Sequence, residues 1–129
     1  KDVAILATGT MVEATLQAVA AVEEGGCRPT VVNARFVKPM DLNVLEGIAE
    51  RFSLIVTVEE NVISGGFGAA VSSHLADRLQ QNQCVVCLGL PDRFVEHGPR
   101  KALLEEVGLN PDGIAVSVLR HYREAKQRV

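Results

Sequence analysis

The apolar positions of the chain alternate between short continuous runs and longer amphipathic repeats. The first run, Val3 to Ala7, is apolar throughout, which is typical of a strand covered on both faces of a parallel sheet. Thr10 and Glu13 have the spacing of a capping box, so a helix is predicted to start there and to end at Gly25-Gly26. Steps of four and three predict the buried stripe of this helix: Val12, Leu16, Val19 and Val22.

The same unit of strand and helix recurs along the rest of the chain. Three further apolar runs predict strands: Pro29 to Ala34, Leu54 to Val58 and Val85 to Leu88. Asp41 is predicted to cap a second helix, and proline suits the first helical position at Pro99. Asn110-Pro111 is predicted to start the last helix in the same way. The predicted apolar faces are Leu42, Leu45, Ile48, Ala49 and Phe52, then Phe67, Val71, Leu75 and Leu79, then Leu103, Leu104 and Val107, and finally Ile114, Val118 and Tyr122.

This alternation of strands and helices favours an α/β fold, because parallel strands need helical crossovers on the faces of their sheet. We predict a three-layer α/β/α sandwich with a mostly parallel sheet. The sequence contains no internal repeat and no linker-like segment, so residues 1–129 are expected to form a single domain. The strand order stays open at this point.

Composition and charge exclude several classes of protein. The chain is 47% hydrophobic with a net charge of −3, which argues against disorder and against binding to nucleic acid or an anionic membrane. The odd number of cysteines, three, fits a reducing compartment such as the cytoplasm. No apolar run approaches the roughly 20 residues of a membrane span. The chain starts at Lys1 and enters a strand at once, so it is expected to be part of a longer protein.

Cys84 and Cys87 have the spacing of a metal or redox pair. In a strand, however, residues three apart point to opposite faces of the sheet, so the two sulfurs should diverge. Buried core thiols are therefore the preferred interpretation, and no metal ligands are assigned.

Polar and glycine residues follow the predicted third strand, at the edge where open α/β sheets place ligands. Because Glu59 and Glu60 are adjacent, we expect one to bond loop backbone and the other to be solvated, so they are not predicted to form a paired acid and base. Gly66-Phe67-Gly68 opens a helix and could hold a phosphate. It lacks the third glycine of the dinucleotide fingerprint, so close packing of the helix end is preferred.

The densest group of ionisable side chains is predicted in the loop from Asp92 to Gly98, which includes Arg93 and His97. Such a loop is either an interface or ligand lid, or a segment fixed by its own Asp-Arg pair, and both interpretations stay open. The sequence carries no nucleophile elbow, zinc-helix pattern or Walker motif.

Three sequence blocks stand in a fixed order along the chain: Asn33 to Asp41, Val58 to Asn61 with Gly65 to Gly68, and Gly89 to Gly98. Together they resemble the C-terminal domain of the 1-deoxy-D-xylulose 5-phosphate synthase family, and the likeness extends from Asp2 to about Ser117. The first two blocks recur more loosely in transketolases and in the β subunits of 2-oxo acid dehydrogenases. The block from Asp92 to Gly98 is what points to the synthases.

This resemblance implies a larger parent enzyme that joins pyruvate, with loss of carbon dioxide, to glyceraldehyde 3-phosphate and feeds isoprenoid and thiamine synthesis. The parent would use thiamine diphosphate and Mg²⁺. In the family, the groups that bind and activate this cofactor lie in other domains. The resemblance therefore implies no catalytic, cofactor-binding or metal-binding residue in this chain, and an isolated chain that is inactive.

The implied partners are the remaining domains of the same enzyme and a second copy in a homodimer, in the cytoplasm or, in a plant, the plastid stroma. The residues expected to organise loops or contact other domains are Glu59, Glu60, Asn61, Gly65, Gly66, Asp92, Arg93 and His97. Two alternatives stay open: the same domain in another transketolase-like enzyme, or a free-standing regulatory module that binds an anion at Gly65 to Gly68.

Overall fold

A computed structural model describes residues 2–34, 40–92 and 98–128. Its strands are β1 (Val3–Ala7), β2 (Pro29–Asn33), β3 (Leu54–Val62) and β4 (Cys84–Leu90). Its helices are α1 (Met11–Glu24), α2 (Leu42–Arg51), α3 (Phe67–Leu75), α4 (Arg100–Glu106) and α5 (Pro111–Gln127). The predicted α/β fold is thereby confirmed.

The four strands form one parallel sheet in the order β2-β1-β3-β4. In the centre, Ile5 of β1 lies opposite Val31 of β2 and Val56 of β3. The pairing of β3 with β4 is regular up to Val58 and is shifted before Val62, so β3 has an irregularity near its carboxyl end.

Helices cover both faces of the sheet, which is why its central strands are continuously apolar. Val3, Ile5 and Ala7 of β1 pack in one core cluster with α1, α4 and α5. Ala4 and Leu6 point the other way and pack with α2 and α3. The molecule is therefore the predicted three-layer sandwich, with one core on each side of the sheet.

The predicted buried face of α1 is only partly correct: Val22 is buried, whereas Val12 and Val19 are partly exposed. Its buried residues are Met11, Thr15, Ala18 and Val22. Leu16, predicted to be in the core, has 56% of its surface exposed. Glu13, Gln17 and Glu24 share one polar stripe of α1, and the buried residues lie on the opposite face, against the sheet and α5. The prediction followed the large aliphatic residues and not this polar stripe.

Two strands are longer than predicted. Strand β3 continues to Val62, and β4 runs from Cys84 to Leu90, so Glu59, Glu60 and Asn61 lie within a strand and not after it. The prediction ended each strand at the end of its apolar run, whereas the backbone pairing continues past that run. Two helix boundaries also differ: α3 ends at Leu75, before Leu79, and Pro99 is the N-cap of α4 and not its first residue.

Two predicted helix starts are confirmed. The carboxylate of Asp41 accepts a hydrogen bond of 3.1 Å from the backbone N–H of Val44 at the start of α2. The side chain of Asn110 accepts one of 3.0 Å from Gly113 N–H at the start of α5.

The cysteines occupy different environments. Cys27 is fully buried in the α1 and α5 side of the core, and burial raises the pKa of its thiol to about 11. Cys84 packs on that same side, whereas Cys87 Sγ lies 3.5 Å from Ser72 Oγ of α3 on the other side. The predicted divergence of Cys84 and Cys87 is confirmed, although both are half-buried and not fully buried as predicted.

Candidate functional site

The carboxyl ends of β1 and β3 lie side by side at the point where the sheet order reverses. After β1 the chain crosses to β2 on one side, and after β2 it crosses to β3 on the other. Open α/β sheets place ligand crevices at such a point. A cavity of about 620 Å³ lies there, lined among others by Thr8, Gly9, Asn61 and Gly65. We refer to it as the strand-end crevice.

Glu59 is fully buried beside this crevice, and its carboxylate caps α3. Phe67 N–H donates to Oε1 at 2.8 Å, and Gly68 N–H donates to Oε2 at 2.7 Å. The first N–H groups of a helix have no partner inside the helix and carry a partial positive charge, so a carboxylate is favourable there. The position that a phosphate would take at this helix start is filled by Glu59.

Two glycines allow the backbone to close around Glu59. A Cβ on Gly66 would overlap the Glu59 carboxylate and would lie 2.8 Å from the carbonyl oxygen of Val62. A Cβ on Gly89 would lie 2.9 Å from the carbonyl oxygen of Asn61. Close packing of the helix end, the interpretation preferred from the sequence, therefore has a specific cause: the buried carboxylate leaves no room for side chains.

Glu60 faces the opposite side of the sheet and is half-buried. Its carboxylate accepts hydrogen bonds from Thr10 Oγ1 at 2.6 Å, from Arg100 Nε at 2.9 Å and from Arg100 Nη2. The hydrogen bonds from Arg100 are the main reason that the pKa of Glu60 lies below its usual value, and the same contact raises the pKa of Arg100.

The predicted capping box at Thr10 and Glu13 is wrong. Thr10 has helical backbone angles, and its hydroxyl donates to Glu60 and makes no capping bond to the first turn of α1 within the described residues. Glu13 accepts a bond from Gln17 one turn later. The spacing signalled the helix start correctly, but a partner 50 residues away competes for the hydroxyl.

We refer to the edge of the sheet at the carboxyl ends of β1 and β3 as the strand-end edge. Five of the eight candidate residues meet there: Glu59, Glu60, Asn61, Gly65 and Gly66. Asp92 is exposed in a turn directly after β4. Arg93 and His97 lie outside the described residues. Thr10 and Arg100 also belong to this group and were not predicted, because neither local spacing nor composition indicates which distant carboxylate a side chain will reach.

The described residues group no metal ligands and include no membrane-spanning helix. Within residues 2–34, 40–92 and 98–128, no three His, Cys, Asp or Glu side chains are grouped so that they could hold a metal ion. In the same ranges, every helix is too short or too polar to cross a membrane.

Comparisons with known proteins agree with this fold. The model of the family described as "Transketolase, C-terminal domain" matches residues 1–114. A 1-deoxy-D-xylulose-5-phosphate synthase 1 of Geobacter sulfurreducens is 47% identical over 116 residues, which cover 90% of this chain and 18% of the relative. A 1-deoxy-D-xylulose-5-phosphate synthase of Caldanaerobacter subterraneus is 40% identical over 98% of this chain and 20% of the relative.

A solved structure is similar along nearly the whole chain. It is described as a split-gene transketolase in an inactive β4 tetramer, and it matches with a TM-score of 0.83 and 34% identity. The match covers 95% of this chain and 39% of that one. The present chain thus spans about a fifth of the length of its curated relatives, and these matches confirm the resemblance noted in the sequence. The chain belongs to the transketolase C-terminal domain family.

Proposed function

We propose that this chain is the C-terminal domain of a 1-deoxy-D-xylulose 5-phosphate synthase, with residues 1–129 as one domain of a larger enzyme. The observation that carries the proposal is the identity of 40–47% to synthases over about nine-tenths of the chain or more. The block from Asp92 to Gly98, which distinguishes synthases from other transketolase-like enzymes, adds support.

The proposed reaction of the parent joins pyruvate to glyceraldehyde 3-phosphate with release of carbon dioxide. Thiamine diphosphate, held with Mg²⁺, supplies the electron sink for such chemistry. The described residues of this chain do not fit the diphosphate, because the carboxylate of Glu59 already fills the start of α3 and Glu60 is taken by Thr10 and Arg100. We therefore place the cofactor and the chemical step in other domains.

The proposed role of the chain itself is structural: it packs against the other domains and supports a homodimer, in the cytoplasm or the plastid stroma. On this proposal the isolated chain is inactive. The strand-end edge is the proposed contact region, because polar groups from three separate segments converge there. The residues proposed to organise loops or contact other domains are Glu59, Glu60, Asn61, Gly65 and Gly66 at this edge and, from the sequence alone, Asp92, Arg93 and His97.

The test is an assay of the complete gene product that carries this chain. We expect carbon dioxide release and a five-carbon phosphorylated product from pyruvate and glyceraldehyde 3-phosphate, in the presence of thiamine diphosphate and Mg²⁺. Turnover of ketose phosphate donors in place of pyruvate would instead assign the chain to another transketolase-like enzyme.

The structural part of the proposal has its own test in the same enzyme. Arg93→Ala and His97→Ala should weaken assembly or raise KM more than they slow the chemical step. Complete loss of turnover with an intact dimer would contradict the structural role.

The alternative of a free-standing anion-binding module receives no support from the geometry. Its proposed site is the helix start at Gly65 to Gly68, where a buried carboxylate already accepts the N–H groups of Phe67 and Gly68. A second anion there would face like-charge repulsion at close range.

A further inference from the structure

One carboxylate connects three segments of the strand-end edge. Glu60 near the end of β3 accepts hydrogen bonds from Thr10, which precedes α1, and from Arg100, which begins α4. These partners lie 50 and 40 residues away in sequence. We refer to Thr10, Glu60 and Arg100 together as the strand-end clasp.

Helix α4 has few other attachments. It has seven residues, too few for a helix to be stable on its own, and its buried side chains are Leu103 and Leu104. Its N-cap, Pro99, makes no side-chain capping bond. Within the described residues, Arg100 provides the side-chain hydrogen bonds between α4 and the sheet.

The start of α1 depends on the clasp in a different way. Thr10 is a residue type that usually caps its own helix, yet its hydroxyl is directed to Glu60 at 2.6 Å. The first-turn contacts that remain are backbone bonds from Met11 to Thr8 and from Val12 to Gly9. A local stabilising bond is thus replaced by a link to β3.

A second ion pair of the same domain offers a matched comparison. Arg78 Nε lies 3.1 Å from Glu46 Oε1, and these side chains are 49% and 39% exposed, against 57% and 29% for Arg100 and Glu60. The Arg78 pair joins α2 to the turn after α3 and shares no residue with the strand-end crevice. It is therefore an Arg–Glu pair of similar exposure at a different place. Glu46 in addition lies 3.3 Å from His74 Nε2, and Arg78 donates a hydrogen bond of 2.9 Å to the His74 carbonyl oxygen.

We propose that Thr10 and Arg100 are positioning residues that act through Glu60: the strand-end clasp holds the starts of α1 and α4 against the end of β3. It thereby fixes the edge by which this domain contacts the rest of its enzyme. The second half of this inference rests on the proposed function, whereas the first half does not. Thr10 and Arg100 touch neither substrate nor cofactor in this account and are not catalytic.

The experiment uses the complete gene product with Arg100→Gln, Glu60→Gln, Thr10→Val and the control Arg78→Gln. Hydrogen exchange is followed in peptides that cover residues 100–106 and 11–14. We expect hydrogen exchange of residues 100–106 to become about three-fold faster or more in Arg100→Gln and Glu60→Gln. Without the clasp, less free energy is needed to open α4 locally. Thr10→Val should accelerate 11–14 alone, and Arg78→Gln should change neither.

Steady-state kinetics distinguish a positioning role of Arg100 from a simple loss of folded enzyme. We expect Arg100→Gln to raise KM about three-fold or more with kcat within about two-fold, since the edge is displaced while the chemical groups are intact. Exchanging the two charges, Glu60→Arg with Arg100→Glu, should recover part of that loss.

Two results would overturn the proposal. One is equal exchange of residues 100–106 in Arg100→Gln and Arg78→Gln. The other is that Arg100→Gln lowers kcat with KM unchanged and that the double variant Glu60→Arg with Arg100→Glu recovers no activity. That pattern would reflect a smaller fraction of folded enzyme. If the unmodified protein does not condense pyruvate with glyceraldehyde 3-phosphate, the proposed function fails, and the exchange data still decide whether the clasp exists.

Discussion

The two glutamates at the end of β3 are neighbours in sequence and differ in almost everything else. Glu59 is fully buried, and its partners are backbone N–H groups eight and nine residues ahead. Glu60 is half-buried, and its partners are side chains from distant segments. Because successive strand residues face opposite sides of a sheet, one step in sequence separates a group that stabilises the core from one that arranges the surface.

The largest expected effect lies on the Glu59 side. Glu59→Ala leaves two buried N–H groups of α3 without a partner, which should lower the free energy of unfolding by about 3 kcal/mol or more. Urea unfolding of the variant and of the unsubstituted chain measures this loss of stability. Glu59→Gln, which keeps one acceptor oxygen, should cost less than Glu59→Ala.

Glu60→Ala supplies the contrast in the same measurement. The partners of Glu60 are exposed enough to be solvated when its carboxylate is removed. Glu60→Ala should therefore lower the free energy of unfolding by much less than Glu59→Ala. Equal losses for the two alanine variants would remove the distinction between a core carboxylate and a surface one.

A smaller effect is expected from filling space on the Glu59 side. A Cβ on Gly68 would lie 2.5 Å from Thr57 Oγ1 and 2.8 Å from Cys87 Sγ, so Gly68→Ala should lower the free energy of unfolding by about 1–3 kcal/mol. Gly47 in the middle of α2 has no atom within 4 Å of such a Cβ. Gly47→Ala should therefore raise stability by up to about 1 kcal/mol, through helix propensity.

Thermal unfolding of the two glycine variants compares them directly. Opposite signs would establish that the contact of α3 with β3 and β4 is tight. If Gly68→Ala were as stable as Gly47→Ala, α3 could move away from the sheet, and the packing argument for this side would be wrong.

The smallest effect concerns pH on the Glu60 side. The fold lowers the pKa of Glu60 from its usual 4.5, mainly through the hydrogen bonds from Arg100. A lowered pKa means that this group stabilises the fold above its unfolded pKa and that the contribution is lost as pH falls through the folded pKa. The difference in stability between the unsubstituted chain and Glu60→Gln should thus be present at neutral pH and shrink below about pH 4.5.

Denaturant unfolding at neutral and acidic pH measures that difference. Asp2 provides an internal reference, because its pKa is also lowered, mainly by the backbone N–H of Arg28, and it is unaffected by the Glu60 substitution. Both chains should therefore keep the acid sensitivity due to Asp2. A difference between them that stays constant with pH would show that the Glu60 carboxylate contributes nothing through its charge.

The features that were predicted correctly from sequence have local causes. β1 was predicted with its observed ends, because a strand covered on both faces is apolar at every position. Asp41 was predicted as a cap, because its partner Val44 is three residues away. In each case the residues that determine the structure lie within one short window.

The features that were missed depend on contacts between distant segments. The exposed Leu16 shows a different failure: it lies beside the polar stripe of α1, and the small residues Thr15 and Ala18 face the sheet and α5 in its place. The clasp joins Thr10 and Arg100 to a carboxylate whose position depends on the continuation of β3. That Glu59 and Glu60 diverge was predictable from strand alternation, but which of them would be buried was not.

Labelling of Cys27 reports how often the core of the domain opens. The thiolate is the nucleophile that attacks a thiol reagent, and a fully buried thiol with a pKa of about 11 presents almost none of it at neutral pH. Cys84 and Cys87, which are half-buried, react from the folded state, whereas Cys27 must wait for the side of the sheet under α1 and α5 to open. The slow phase of labelling with a thiol reagent therefore measures how often this side of the core opens, at a site that the sequence already provides.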